Sequence, residues 1–258
     1  MPTLRTETRD RVFVVTIDRP QSRNAVDRPT AGALATAFRD FEADAGLDVA
    51  ILTGAGGHFC AGADLKAMTE DPERANRVEP DGDGPMGPTR MLLRKPVIAA
   101  IEGYAVAGGL ELALWCDLRV AAEDAVLGVF NRRFGVPLMD GGNVRLPRVV
   151  GLGRALDMIL TARAVGAAEA HAIGLVNRLC PPGRALETAL ELARTIASWP
   201  QGPLRGDRLA AIEGAALPLE DAMRNEFARG VESLNAGQTL PNVQRFAAGE
   251  GRHGEGSV

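Results

Sequence analysis

The sequence is short of lysine, tyrosine, histidine and cysteine, and each shortage closes off a class of protein. Only two lysines occur in 258 residues, Lys66 and Lys95, and the net charge is −4. A nucleic-acid surface needs a basic stripe interleaved with aromatic side chains. Aromatics make up only 4% of this chain, so no nucleic-acid partner is expected. The three cysteines, Cys60, Cys116 and Cys180, are odd in number and far apart. They form no disulfide framework, which points to a reducing compartment. The three histidines, His58, His171 and His253, show no metal-ligand spacing, so no metal site is expected. A long uninterrupted apolar run is missing too. The most apolar stretch, about 97–116, contains Glu102, three glycines and Glu111, and does not read as a membrane span. The opening MPTLRTETRD is polar and does not read as a secretory signal. The expectation is a soluble cytoplasmic protein with no membrane partner.

What remains is ordinary globular material, 46% hydrophobic, over a length that allows one large domain or a domain with a small appendage. Residues 11–17, RVFVVTI, read as a β-branched strand. Residues 29–44 read as an amphipathic helix, with Leu34, Ala37, Phe38 and Phe41 at i, i+3, i+4 and i+7. Short buried strands are expected at 49–54 and 96–103, and another at 117–124. The polar segment 71–88, rich in Gly and Pro, reads as a mobile loop. From 142 onward the pattern is mostly helical, clearest at 185–198 and 218–234, and the last ten residues read as frayed. Strands alternating with helices, followed by helices alone, predict an α/β fold with a helical C-terminal part. The boundary is placed between a core of 1–185 and a helical region of 186–258.

One carboxylate is out of place. In AVAGGLELALW, 105–115, Glu111 stands alone among apolar residues and glycines. Burying a carboxylate unpaired costs several kcal/mol, so it has a partner, a raised pKa or a chemical role. Two glycine-containing turns follow buried strands, CAGAD after 49–54 and VAGGLE after 96–103. Two N–H groups converging from such turns would form an oxyanion hole, and the helix opening at Gly108-Gly109 adds a dipole that favours negative charge. Glu111, three residues after Gly108, shares that helix face. A base beside an oxyanion hole suits proton transfer at a carbon next to a carbonyl. Plainer readings stand beside this one. Glycine after a strand commonly marks only a turn, and Arg119 or Arg145 is available as an ion-pair partner for Glu111. Asp64 reads first as a helix cap.

Two longer stretches, HFCAGADLKAM and KPVIAAIEGYAVAGGLELALWCDLRVA, strongly resemble the crotonase superfamily, also called the enoyl-CoA hydratase/isomerase family. The resemblance extends from about residue 11 to the C-terminus and includes RPQSRNAV and EAHAIGLVNRL. It implies a crotonase-like spiral of ββα units whose C-terminal helices build a homotrimer or hexamer. It also implies an acyl-CoA thioester substrate, with CoA as part of the substrate and no separate cofactor. It places the oxyanion hole at the N–H groups of Ala61 and Gly108, and lines the CoA and thioester site with Ala61, Gly62, Ala63, Asp64 and Gly108. It makes Glu111 the first catalytic glutamate.

The second half of the signature departs from the family. Where typical hydratases carry a second glutamate, this chain reads LGVFNRRFGVPLMDGG, and Asn131 occupies the glutamate position. Asparagine orients a water but cannot exchange its proton. Asp140, in MDGG, is the alternative second acid; its plainer reading is a cap for a helix starting near Gly142. The leading expectation is an enzyme of hydratase/isomerase type acting on an enoyl-CoA through the oxyanion hole and one glutamate, with Asn131 and Asp140 as further catalytic candidates. Acyl-CoA hydrolysis, decarboxylation and retro-aldol cleavage use the same oxyanion hole and stand as alternatives. A non-catalytic acyl-CoA binder is a third reading, which the presence of Glu111 disfavours. The pocket wall is expected to draw on 71–92, 110–115 and 130–140.

Overall fold

A computed structural model describes residues 3–237 and 239–248. The chain divides into two compact units, Met1–Ala193 and Arg194–Val258. The first opens with β1 (Leu4–Arg9) and β2 (Val12–Ile17), paired antiparallel in the register Leu4 to Ile17. Helix α1 (Arg28–Ala43) follows. Its N-cap, Asp27, accepts from Thr30 N–H at 3.1 Å, and Leu34, Phe38 and Phe41 lie fully buried along one face. That is the expected stripe of an amphipathic helix.

Strand β3 (Val49–Gly54) lies parallel to β2, and a glycine-rich turn leads into α2 (Leu65–Glu70), capped by the Asp64 side chain. Next come β4 (Val97–Ile101), β5 (Tyr104–Val106) and α3 (Gly108–Trp115). This strand, short strand and helix succession is the repeating ββα step. It begins again with β6 (Leu118–Ala122) and β7 (Val126–Gly128), then α4 (Gly142–Val150) and α5 (Leu152–Thr161). The unit continues through β8 (Val165–Gly166), α6 (Ala167–Ala172), β9 (Arg178–Cys180) and the first part of α7 (Ala185–Ser198), within which the division falls.

The long strands form one six-stranded sheet in the order β1-β2-β3-β4-β6-β9, parallel except at β1. The short ones form a second sheet, β5-β7-β8. All five residues of β4 are buried, as befits a parallel strand covered on both faces. Every residue of α3 is buried as well. A helix with no polar face belongs in a core, so α3 carries Glu111 into the interior.

In the second unit α8 (Gln201–Gly214) packs on α9 (Leu219–Asn235), with Arg229 and Asn225 donating to Glu213 at 2.7 and 2.9 Å. Helix α10 (Thr239–Ala247) completes it. No residue of α9 is buried in the chain, although Leu219, Met223, Phe227 and Val231 recur every four residues on one face. Among the described residues no helix is long and apolar enough to cross a membrane. The fold is that expected, an α/β spiral with a helical C-terminal region. The frayed segment expected at 249–258 lies outside the described residues.

Candidate active site

A cavity of about 240 Å³ in the first unit is lined by Ala61, Ala63, Gly108, Glu111, Asn131 and Asp140, together with side chains from 65–86 and 130–139. Residues separated by up to 79 positions in sequence thus meet at one place, and the three expected wall segments all contribute. Gly62 is absent from the lining, and so is Asp64. Its carboxylate caps α2 and takes an ion pair from Arg19 at 2.8 Å.

The two turns adjoin. Gly62 has φ +101°, and a Cβ built on it would lie 3.0 Å from Gly108 N and 3.0 Å from Ala107 Cβ. Only glycine allows that approach in that conformation. On the other side Ala107 holds φ +53°, ψ −126°, an unfavourable region for a residue with a Cβ, worth about 1–3 kcal/mol of strain. It is fixed by Ala107 N–H donating to Gly128 O at 2.9 Å and by Glu111 N–H donating to Ala107 O at 3.2 Å. The strained residue aims the next peptide. Gly108 is the first residue of α3, where an N–H has no acceptor within its own helix.

The expected second donor is not free. Ala61 N–H donates to Arg23 O at 3.0 Å, and Gly62 N–H faces Cys60 Sγ at 3.4 Å. Val26 makes a parallel bridge with Ala63, through Val26 N–H to Gly62 O at 2.8 Å and Asp64 N–H to Val26 O at 2.9 Å. Successive backbone groups of an extended segment point to opposite sides. Ala63 N–H therefore turns away from the bridge, and it belongs to a residue that lines the cavity. The oxyanion assignment at Ala61 is corrected on this ground: its N–H is spent on Arg23, and the unengaged donor of this turn lies two residues on.

Glu111 is 3% exposed and has no arginine partner. Its Oε1 accepts from Asp140 N–H and Gly142 N–H, each at 2.8 Å. Burial pushes its pKa up to about 7, against the Gly142 N–H bond, with the nearby Asp140 carboxylate adding to the rise. Such a value suits a group that both takes and gives a proton at neutral pH. The two candidate arginines are occupied elsewhere. Arg145 donates to Asp140 O and Thr89 O at 2.9 and 2.7 Å, and Arg119 donates to Leu175 O and Cys116 O at 2.7 and 2.8 Å.

Asp140 is buried beside Glu111, and burial raises its pKa. Its Oδ1 accepts from Met86 N–H at 2.9 Å and from Thr89 Oγ1–H, so one oxygen is committed to holding the 86–89 turn. It does not cap α4, whose N-cap Gly141 has no side chain to do so. Asn131 donates through Nδ2 to Val136 O at 2.9 Å, and its buried Oδ1 has no partner. A carbonyl at Nδ2 fixes which end of the amide is which, so the orphaned atom is an acceptor. The bonds of Met86 and Thr89 to Asp140 and of Gly142 to Glu111 were not recognisable from sequence, and Arg145, expected as a partner of Glu111, instead holds Asp140 O and Thr89 O.

An α/β spiral that buries a carboxyl with a pKa raised to about 7 beside a glycine-rich turn and the strained Ala107 suits proton transfer. The chain belongs to the enoyl-CoA hydratase/isomerase family, whose model matches residues 7–206. It is 40% identical over 250 residues to enoyl-CoA hydratase EchA19 of Mycobacterium tuberculosis, covering 93% of this chain and 92% of that one. It is 36% identical over 225 residues to a short-chain-enoyl-CoA hydratase of Clostridium acetobutylicum, covering 85% of each. Among solved structures, enoyl-CoA hydratase EchA1 from Mycobacterium marinum superposes with a TM-score of 0.90 at 38% identity, covering 96% of both chains.

Proposed function

We propose that the protein adds water across the double bond of an enoyl-CoA thioester. The observation that carries this reading is Glu111, buried with a pKa near 7 and lining one cavity with Gly108, Ala63 and the unpartnered Asn131 carbonyl. The thioester oxygen accepts from Gly108 N–H and Ala63 N–H, which draws electron density from the β carbon. Oε1 of Glu111 is committed to two backbone donors, so Oε2 is left to exchange a proton. A water held by Asn131 Oδ1 and Glu111 attacks the β carbon. Glu111 takes the water's proton, and the enolate charge rests at the two N–H groups. Glu111 then delivers that proton to the α carbon, so one carboxyl serves both steps. Asp140 is the reserve second acid; with Oδ1 holding the 86–89 turn, its main part is to raise the Glu111 pKa and to place that turn. No group beyond CoA, itself part of the substrate, is required.

Isomerisation is the second reading, favoured by Asn131 standing where a second carboxylate would be, because one base suffices to move a proton between two carbons. Incubating the protein with a panel of CoA thioesters and reading products by mass spectrometry separates the reactions. Gain of one water is expected. A moved double bond without mass change, loss of carbon dioxide, or free CoA would each assign a different chemistry. The apolar stripe of α9 supports assembly into a homotrimer or hexamer; a stable monomer in light scattering at micromolar concentration would exclude that assembly.

A further inference from the structure

The ionisable groups of the cavity lining are two carboxyls, Glu111 and Asp140; Asn76 and Asn131 add amides, and every other lining side chain is apolar or absent. No arginine or lysine lines it. Of the cations that adjoin lining residues in sequence, Arg132, Arg133 and Arg145 are turned to backbone carbonyls, Arg77 is paired with Glu79, and Lys66 is exposed on α2. An acyl group ending in a carboxylate would therefore meet two acids and no cation within the lining itself.

The apolar wall also extends outward. Phe134 is 71% exposed, Val78 60% and Met68 46%, and all three line the cavity. Large apolar side chains left in water mark a surface that something covers, and these three belong to the lining of the cavity that holds Glu111, where an acyl group would lie. They are the most exposed large apolar side chains of the lining, whereas Glu111 is 3% exposed, so an acyl group that covers them extends outward from the buried carboxyl.

We propose that the acyl group is an extended, uncharged hydrocarbon longer than crotonyl, and that Phe134, Met68 and Val78 set this preference by covering its outer part. The proposal rests on the thioester reading above and deepens it. Each methylene moved from water onto an apolar wall is worth about fourfold in affinity, so several extra methylenes amount to a large preference.

The test is isothermal titration calorimetry of the wild-type protein with butyryl-CoA, decanoyl-CoA and succinyl-CoA, with free CoA as reference. These thioesters have no double bond, so binding is read apart from turnover. Decanoyl-CoA is expected to bind at least about thirtyfold more tightly than butyryl-CoA, and succinyl-CoA more weakly than butyryl-CoA. The decanoyl-to-butyryl ratio is expected to fall by about fivefold or more in Phe134→Ala, and to fall in Met68→Ala. Equal affinity for butyryl and decanoyl thioesters overturns the proposal. So does a ratio unchanged in both variants, or tighter binding of succinyl-CoA than of butyryl-CoA. A protein that prefers decanoyl-CoA yet fails to hydrate any enoyl-CoA keeps this inference and loses the reaction assigned above. If no thioester binds, both fall.

Discussion

Replacing Glu111 by Gln should make the protein more stable and less active at once. The carboxyl is held at a pKa of about 7, against 4.5 when unperturbed, chiefly by burial. A folded-state pKa above the unfolded one means that the folded state keeps its proton where the unfolded state has lost it. Ionised Glu111 therefore weakens the fold as pH rises from about 4.5 to about 7, and the deficit is constant above that. At about 1.4 kcal/mol per pH unit the displacement is worth about 3 kcal/mol. A glutamine keeps an oxygen for the Asp140 and Gly142 N–H groups and carries no charge to desolvate. At roughly 2–4 °C per kcal/mol for a chain of this size, Glu111→Gln should melt several degrees higher than wild type at pH 8. The gap should narrow steadily toward pH 5. Calorimetric melting across that range measures it, and the same variant should lose about 10²–10⁴ in hydration rate. Equal or lower Tm for Glu111→Gln at pH 8, or a gap that does not close on acidification, would refute the buried-base assignment.

The wild-type kcat/KM should fall as pH drops below about 7, because the base must start ionised; a pH profile flat from 6 to 8 contradicts this. Gly108→Pro should lower kcat/KM by about 10²–10³ or more, since one donor to the oxyanion is lost and the added Cβ would press on Met86 Sδ at 2.8 Å. Circular dichroism shows whether the variant stays folded. Gly142→Ala places a Cβ 3.0 Å from Glu111 Oε1 and Cγ, so steady-state kinetics should show kcat reduced by about tenfold or more with KM little changed. Amide hydrogen exchange in 71–88 should slow when an acyl-CoA binds, because Asn76, Val78, Pro85 and Met86 line the cavity; equal protection with and without ligand counts against closure over the acyl group.

Much of the fold was legible because local chemistry punctuates it. Strand β3 lies where the run 49–54 predicts it, α3 begins at the expected Gly108, and α7 spans the predicted 185–198. Strand β1 was missed because LRTETR has no apolar alternation. It is an exposed edge strand, fixed by pairing with β2 rather than by its own pattern. Strands β5 and β7, of three residues each, are fixed by pairing with each other and, for β7, with β8 rather than by a pattern of their own. In the site, Glu111 was legible as a lone carboxylate in an apolar helix. Which N–H of the CAGAD turn stays free was not, because that depends on Arg23 O, 38 residues away, where Arg23 itself sits at φ +50°. The donors that fix Glu111 come from residues 29 and 31 positions away, and no sequence spacing encodes that meeting. Asp140 was legible as an acid near the site, but its bonds to Met86 and Thr89 follow from tertiary packing alone.

The central claim is that Glu111 works on a thioester whose oxygen is held by Gly108 and Ala63. A crystal structure of the protein with a bound enoyl-CoA, trapped in the Glu111→Gln variant, tests it most directly. The account predicts the thioester oxygen about 2.7–3.1 Å from both Gly108 N and Ala63 N, with the residue at 111 and Asn131 Oδ1 facing the α and β carbons. A thioester oxygen placed against Ala61 N–H, with the Arg23 bond broken, or an acyl group whose reacting carbons lie beyond reach of residue 111, would contradict it.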